Sequence, residues 1–451
     1  MAENIKQKYN LFAAFCMVVG VVIGSGIFFK APKLFAEAEG NLLGALISVC
    51  AVGVIVLIVA LTFATLGEIY PIGDGLVGVA EVAIGPRYSY MVGWFVSTIF
   101  YPTLTAALAR ISGTYITELL GVKEAGAELL ISGGVLIFAF ALNTLAPKKA
   151  TALGVATTGI KLVPLLLLGV VGSIIGLASG NFANAFSGEG APSISGGGII
   201  GGIVAFAFAY EGWIAVSAVA KEIKNARKNL PLALVFGLIL VIGVYLAYIL
   251  GIGGVLSREE ILASGNNLSL TAFTALLFGN PTLGRFFYLF VAISCVGTTV
   301  GLSLAASRGI FALAERGRGP SAELFSHIDS TSAVPVNSSL FALVVSTIWL
   351  FQWEFGFVWG LLPEWLCFEH DELPIITLYF ALVPIFLTLP FRGKKLPITK
   401  RFILPILAVL SALFMLYCAV TAYGIQILYY LTVFLIIMLV GLCFYRPKVK
   451  E

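Results

Sequence analysis

Long apolar segments separated by short polar ones dominate the sequence. Each of twelve such segments is long enough for the roughly 20 residues that a membrane-crossing helix needs. The runs are too long for membrane strands and lack the alternation of a β-barrel, so the pattern predicts an all-α membrane protein with twelve transmembrane helices. The segments cover residues of about 10–36, 41–69, 86–120, 126–145, 150–179, 195–222, 230–256, 284–313, 336–353, 373–391, 402–423 and 425–445.

Composition supports a membrane location. Of the 451 residues, 11% are charged and 59% are hydrophobic, whereas a soluble domain has about 25% charged residues. Such a chain cannot cover a water-exposed surface with polar groups, which excludes a cytosolic or secreted enzyme, a disordered protein and a nucleic-acid binder. The polar start and the long apolar run after it are not typical of a cleavable signal peptide, so we expect none.

The positions of lysine and arginine predict the orientation. With both termini in the cytoplasm, 20 of the 27 basic residues fall on the inner side and five, including Lys30 and Lys33, on the outer side. The remaining two, Arg110 and Lys161, lie within apolar segments. Because cytoplasmic loops carry an excess of Lys and Arg, we expect a multi-pass protein of the cell membrane with cytoplasmic N- and C-termini.

Two segments are interrupted in the middle. In the first, Gly24 and Gly26 flank Ser25, and in the sixth, Gly212 follows Glu211. Broken backbone at membrane depth is tolerated only where it lines a cavity. Paired interruptions in two halves of a chain indicate an inverted-repeat transporter.

The helix count then predicts the domain organisation. We expect a single transmembrane transporter domain over residues 1–451. Within it, residues 10–180 form the first repeat, residues 195–391 form the second, and residues 402–445 form two further helices.

A break of this kind exposes backbone groups of opposite polarity. A half-helix that begins near Ile27 presents free N–H groups and a positive dipole end, which suit a carboxylate. Half-helices that end near Val22 and Phe208 present free C=O groups, which suit an ammonium. An α-amino acid carries both groups on one carbon, so the break pattern predicts an amino-acid site. The competing interpretation is that the glycines only allow close helix packing.

Three motifs, in order and at this spacing, resemble the amino acid–polyamine–organocation transporters, within them the L-amino acid transporter branch and its bacterial serine/threonine- and alanine/serine-type exchangers. The motifs are Ile23-Gly24-Ser25-Gly26-Ile27-Phe28, the segment 208–213 continuing into 222–231, and the segment 307–317. The resemblance covers essentially the whole chain. It implies a LeuT-type fold of two inverted five-helix repeats plus two helices, with helices 1 and 6 broken. It also implies sodium-independent exchange of neutral amino acids by alternating access, without chemistry on the substrate.

The resemblance further implies roles for single residues. The backbone amides of Ser25, Gly26 and Ile27 match the groups that bind the substrate carboxylate. The carbonyls of Val22 and Phe208 match those that receive the ammonium, and the Phe208 ring matches the gate over the substrate. The substrate-binding set expected in this chain is Val22, Ile23, Gly24, Ser25, Gly26, Ile27, Phe208, Ala209, Glu211 and Gly212.

Glu211 departs from the family pattern, because relatives often carry glycine, alanine or aspartate beside the substrate side chain. Two states are coherent. Either Glu211 pairs with a lysine, an arginine or a cationic substrate, or it is protonated and donates a hydrogen bond to a neutral polar side chain. The wide use of neutral amino acids in the branch favours the second state.

Lys161 lies deep in the fifth segment. A lysine at the membrane centre costs at least ~2.5–3.5 kcal/mol unless it has partners. It lies roughly 18 Å up the helix from the inner lysines, which is too deep to snorkel. The resemblance implies that this lysine takes the place of a sodium ion and ties helix 1 to helix 8. The expected partners are carbonyls of the broken helix 1 and either Ser294 or Thr298.

Other polar features are less specific. Arg110 either lines an outer vestibule or pairs with a carbonyl or with acidic outer loops. The aromatic segment 354–372 ends in Glu369-His370-Asp371-Glu372. We interpret it as a solvated acidic loop with an interfacial aromatic belt, a metal site being the alternative. Six scattered cysteines predict neither a disulfide framework nor a zinc site, and we expect no metal and no cofactor.

The sequence also bears on partners and on alternative functions. The outer loop 121–126 lacks the cysteine through which eukaryotic relatives bind a heavy subunit, so no disulfide-linked heavy subunit is expected. A membrane enzyme is disfavoured because no His-Glu-x-x-His motif occurs, and a channel because too few polar residues lie in the segments. The main alternatives are a proton-coupled symporter, in which Lys161 or Glu211 carries the proton, and a carrier of cationic amino acids or polyamines.

Overall fold

The chain is helical throughout the part that the structure describes. The computed structural model describes residues 9–24, 26–70, 75–122, 124, 126–187, 196–329 and 334–445. In these ranges the only extended pairing is an isolated parallel bridge between Tyr9 and Ile223. Eleven described helices are long and apolar enough to cross a membrane, and a twelfth span consists of two shorter helices that meet at a bend of 42°. The all-helical prediction is confirmed.

We number the spans α1 to α12. The first span is the bent pair of α1a, Leu11–Val22, and α1b, Gly26–Glu37. The remaining spans are α2 Leu42–Ile69, α3 Pro86–Leu120, α4 Ala127–Leu145, α5 Pro147–Ser179, α6 Gly196–Glu222, α7 Ala226–Val255, α8 Thr282–Ala314, α9 Val336–Val358, α10 Leu373–Arg392, α11 Thr399–Tyr423 and α12 Gln426–Cys443.

Local chemistry sets several of these limits. The side chain of Asn10 accepts a hydrogen bond from the Ala13 N–H at 2.8 Å, and Asn41 caps α2 in the same way. Such side chains satisfy amides that have no partner in the first turn. Gly121 ends α3 and Gly180 ends α5 with positive φ values of 67° and 78°, the left-handed conformation in which helices often end.

The interrupted spans lie in the interior. In α6, 83% of the most apolar stretch is buried, against 22% in α12. In α1a all residues of 18–22 are buried, and in α1b eight of the twelve residues are buried. α1a packs against α5, α7 and α8, and α1b packs against the first half of α6. The two predicted breaks therefore face each other inside a shell of other helices.

Candidate functional site

The break in α1 leaves carbonyls that other helices satisfy. α1a ends at Val22, and α1b begins at Gly26, close to the predicted limits; Ser25 lies outside the described residues. The last carbonyls of a helix lack partners within it. Side chains of α5 and α8 bind the Gly20 carbonyl, α7 binds that of Val22, and Ser294 of α8 donates to that of Gly24 at 3.2 Å.

The break in α6 is a change of backbone conformation over five residues. The α-helical part ends at Ala207, and one 3₁₀ turn follows at Phe208–Tyr210. Glu211 is extended, and Gly212 has a φ of +94°, a conformation that side-chain-bearing residues rarely adopt. A 3₁₀ helix then runs over Trp213–Glu222. Both predicted breaks are thus present.

A cavity of about 270 Å³ lies between the two breaks. Six of the ten predicted substrate-binding residues line it. Ile23, Ile27 and Ala209 do not, although each adjoins a residue that does. Leu104, Leu108, Leu302 and Val21 were missed, because an apolar side chain inside an apolar segment carries no signal of a cavity. The lining consists of Val21, Val22, Gly24, Gly26, Leu104, Leu108, Phe208, Glu211, Gly212 and Leu302.

Among the described residues that line the cavity, Glu211 is the only one with a carboxyl group. Its side chain is buried, and neither carboxyl oxygen makes a hydrogen bond of good geometry within the described residues. The hydroxyl of Tyr379 on α10 lies beside the carboxyl. A buried charge is stable only when paired, and no described lysine or arginine forms an ion pair with Glu211. This leaves a protonated carboxyl or a cationic substrate as the coherent states.

Lys161 is fully buried and joins three helices. Its Nζ donates to the Gly20 carbonyl of α1a at 2.6 Å and to the Thr298 hydroxyl of α8 at 2.9 Å. The predicted tie from α5 to helix 1 and helix 8 is therefore present. Ser294, the other predicted partner, instead donates to the Gly24 carbonyl on the same side of the break. The Lys161 ammonium is thus bound by uncharged oxygen atoms, which are also the ligands of small cations.

Tyr245 of α7 is a contact that sequence reasoning missed. Its hydroxyl lies 3.0 Å from the Val22 carbonyl and 2.8 Å from the Ala209 carbonyl. A tyrosine hydroxyl donates one proton, so the two breaks share one donor. Nothing in the sequence distinguishes Tyr245 from the other 15 tyrosines.

Phe208, the predicted gate, packs beside a lysine. The Lys30 ammonium of α1b lies 5.3 Å from the centre of the Phe208 ring, within the range of a cation–π contact. Lys30 is 3% exposed. The sequence analysis assigned Lys30 to the outer side and did not predict its burial.

The prediction that 354–372 is a solvated acidic loop is wrong for the last residues of this segment. His370, Asp371 and Glu372 are buried, because they fold back against α1b. Lys30 Nζ lies 2.9 Å from Asp371 Oδ2 and contacts Glu372. The aromatic part does remain accessible, as Trp359 and Trp365 are exposed. The described residues include no group of three His, Cys, Asp or Glu side chains that could hold a metal ion.

Arg110 pairs with acidic residues, one of the roles left open by the sequence. Its Nε lies 2.9 Å from Glu354 Oε2 of α9, and it also contacts Glu128 of α4 and the Thr114 hydroxyl. These contacts join α3 to α4 and α9.

A further buried ion pair lies at the far end of α6. Arg308 of α8 binds Glu222 at 2.8 Å. The backbone of Tyr9 accepts from Lys224 and donates to Glu222. The chain before α1a is thereby fixed to the ends of α6 and α8.

Comparison with known proteins agrees with this architecture. Relatives include the serine/threonine exchanger SteT of Bacillus subtilis (strain 168), 28% identical over 92% of this chain and 91% of the relative. The large neutral amino acids transporter small subunit 2 of Mus musculus is 30% identical over 78% of this chain and 68% of the relative.

The solved structure of MhsT in complex with L-phenylalanine superposes with a TM-score of 0.58 at 15% identity, covering 96% of this chain and 99% of that chain. This likeness confirms the LeuT-type fold. A family model described as amino acid permease matches residues 9–444. The chain therefore belongs to the amino acid permease family of membrane transporters.

Proposed function

We propose that the protein exchanges neutral L-amino acids across the cell membrane by alternating access, without sodium. The observation that carries the proposal is the pair of helix breaks facing each other across a cavity that residues of both breaks line. Relatives named as a serine/threonine exchanger and as transporters of neutral amino acids support the same substrate class.

The substrate contacts follow from the backbone at the breaks. The first amides of α1b, at Gly26 and Ile27, bind the carboxylate together with Ser25, since the start of a helix favours an anion. The ammonium binds the carbonyls of Val22 and Phe208. The Phe208 carbonyl already accepts from the Glu211 N–H at 3.1 Å and has a second lone pair free for this contact.

The Val22 carbonyl already has two hydrogen-bond donors. It accepts from the Gly24 N–H at 2.8 Å and from Tyr245. The substrate ammonium therefore displaces the Tyr245 hydroxyl, which turns to Ala209. Ile23, Gly24, Ala209 and Gly212 shape the backbone around these groups, Phe208 closes the cavity, and Glu211 meets the substrate side chain.

Lys161 supplies the coupling. Its ammonium links α5 to α1a and α8 at the position where a sodium ion would need oxygen ligands. Thr298 completes this link, and Ser294 extends it to Gly24. A positive charge on the chain's own side chain makes a transported sodium ion unnecessary.

Three further assignments belong to this proposal. The bias of lysine and arginine places both termini in the cytoplasm and the chain in the plasma membrane. Residues 10–180 and 195–391 form the inverted repeats, and 402–445 add two helices. The loop 121–126 contains no cysteine, so the protein works without a disulfide-linked heavy subunit.

Counterflow in proteoliposomes tests the function. Uptake of a labelled amino acid is measured with and without unlabelled amino acid inside, across all twenty amino acids. An exchanger of neutral substrates takes up alanine- or serine-sized substrates only when the lumen is loaded. Uptake into empty vesicles driven by a proton gradient would indicate a symporter, and preference for lysine, arginine or a diamine would indicate a cationic carrier.

A further inference from the structure

Two lysines and three carboxyl groups meet between α1b and the start of α10. We call Lys30, Lys33, Glu369, Asp371 and Glu372 the Lys30 cluster. Lys30 contacts both Asp371 and Glu372, and Lys33 Nζ lies 3.4 Å from Glu372 Oε1. Glu369, which is half-buried, acts electrostatically on the same two lysines.

The cluster contains more buried acid than buried base. Lys30, Asp371 and Glu372 are each at most 3% exposed, whereas the Lys33 side chain is 39% exposed. Within the described residues, Asp371 Oδ1 and Glu372 Oε2 have no hydrogen-bond partner. Carboxylates that share one site repel each other, and a proton on one of them relieves the repulsion. Two buried oxygens therefore lack a donor, and a proton bound by one carboxyl of the cluster provides a donor while it removes one negative charge.

The protonation preferences agree with this geometry. Burial raises the pKa of Glu369 to about 7, with repulsion from Asp371 adding to the effect and attraction to Lys30 opposing it. Burial also raises the pKa of Glu372. Burial opposes ionisation of Asp371 too, but Lys30 outweighs it and lowers the pKa of that carboxyl. Burial lowers the pKa of His370 to about 4, so His370 is neutral near pH 7.

The cluster and the neighbouring His370 contact Phe208, which lines the cavity, and residues of α9 and α11. Lys30 touches the Phe208 ring, Lys33 donates to the Tyr423 hydroxyl of α11 at 3.3 Å, and the His370 ring bonds Gln352 of α9 at 2.5 Å. Moving α1b away from α10 would separate the lysines from the carboxyls and admit water. The carboxyls would then return toward their ordinary ionisation.

We propose that the Lys30 cluster is a proton-binding site through which external acid stabilises the closed position of α1b over the cavity. The proposal rests on the proposed function, in particular on its orientation and on Phe208 as the gate. It concerns regulation of the outer opening and assigns no transported proton.

Proton binding and closure of α1b are thermodynamically linked, and this linkage sets the direction of the pH effect. A carboxyl whose pKa is raised in the closed state favours that state while it is protonated. The stabilisation of the closed state by protonated Glu369 is complete below the ordinary glutamate pKa of roughly 4.3. This stabilisation is lost as the pH rises through the raised pKa of about 7. Acid outside therefore keeps α1b closed, and alkaline conditions favour opening.

External pH in the counterflow assay tests the proposal. We expect the KM for an external neutral amino acid to rise about threefold or more between about pH 8 and about pH 5.5, because the open fraction falls. Glu369→Gln, which mimics the protonated acid, should keep the high KM at every external pH. Glu364→Gln, on an exposed glutamate of the same segment, should behave as the unmodified protein. A pH-independent KM in the unmodified protein, or an unchanged profile in Glu369→Gln, overturns the proposal.

A second measurement does not depend on transport. In infrared difference spectra of the purified protein, a protonated-carboxyl band absent from Glu369→Gln should disappear with a midpoint near pH 7. A midpoint near the ordinary glutamate value of roughly 4.3 would refute the proposal. If no amino acid is exchanged but this band titrates near neutrality, the proposed function fails while the proton site stands.

Discussion

Lys161 connects three helices through two short hydrogen bonds from one buried ammonium. We expect Lys161→Ala to lower exchange turnover at least about tenfold, because each bond from a charged donor contributes roughly 1.5–3 kcal/mol. The protein should still elute as a single species, since the shell of helices around the break is unchanged. Turnover is measured by counterflow, and folding by size-exclusion chromatography.

Lys149→Ala is the matched control for this experiment. Lys149 lies on the same helix and is exposed, so its removal should leave turnover within about twofold of the original. Normal exchange by Lys161→Ala would reduce Lys161 to a structural group.

Glu211 lines the cavity and is the residue that we propose meets the substrate side chain. Glu211→Gln keeps the shape and the hydrogen bonding of the side chain but removes its titrating proton. We expect transport of alanine- or serine-sized substrates to stay within about threefold, because a neutral acid and an amide both donate a hydrogen bond. Any dependence on pH that originates in the cavity should flatten, while the external-pH effect of Glu369 persists.

Transport of cationic substrates by the two proteins tests the opposite role of Glu211. If the unmodified protein carries lysine, arginine or a diamine well and Glu211→Gln loses this transport, the carboxylate is a counter-ion. The neutral-substrate assignment would then be wrong.

The broken helices depend on glycines that admit another backbone. A Cβ atom on Gly26 would lie 2.8 Å from the Ala209 Cα of α6, closer than packed atoms approach. We expect Gly26→Val to abolish binding of every substrate, because overpacking of this kind costs roughly 1–3 kcal/mol and displaces α1b from α6. The proposed carboxylate contact of the Gly26 amide is one cause of this loss, and the structure adds contact with α6 as a second cause.

Gly134→Val distinguishes this local effect from a general one. Gly134 lies on α4, where an added Cβ meets no atom within 4 Å. Binding to purified protein should be retained in this control and lost in Gly26→Val. Loss of only one substrate class in Gly26→Val would place Gly26 outside the common carboxylate site.

For the whole molecule, the decisive property is the source of the positive charge between helices 1, 5 and 8. Because we propose that the Lys161 ammonium provides this charge, exchange should be unchanged when choline replaces sodium on both sides of the membrane. The measurement is the initial rate of counterflow in the two buffers. A clear sodium requirement would remove Lys161 from its proposed role.

Some features were determined by the sequence because they depend on local properties of the chain. Apolar length alone predicts the spans, and the structure contains eleven plus the bent pair. Gly212 marks the break in α6 because its φ of +94° excludes most side chains, and Gly26 marks the break in α1 because α6 passes too close for a side chain there. Lys161 stood out because an isolated charge at membrane depth must find partners.

Other features were decided only by the tertiary structure, because they join positions far apart in the chain. Lys30 and Glu372 are separated by 342 positions, and Tyr245 and Val22 by 223. Charge in the sequence does not reveal whether a loop folds back, so the acidic end of 354–372 was expected in water and lies against α1b. The lining leucines of the cavity became visible only once α3 and α8 packed against the breaks, since burial in a cavity is a property of the assembled helices and not of any one of them.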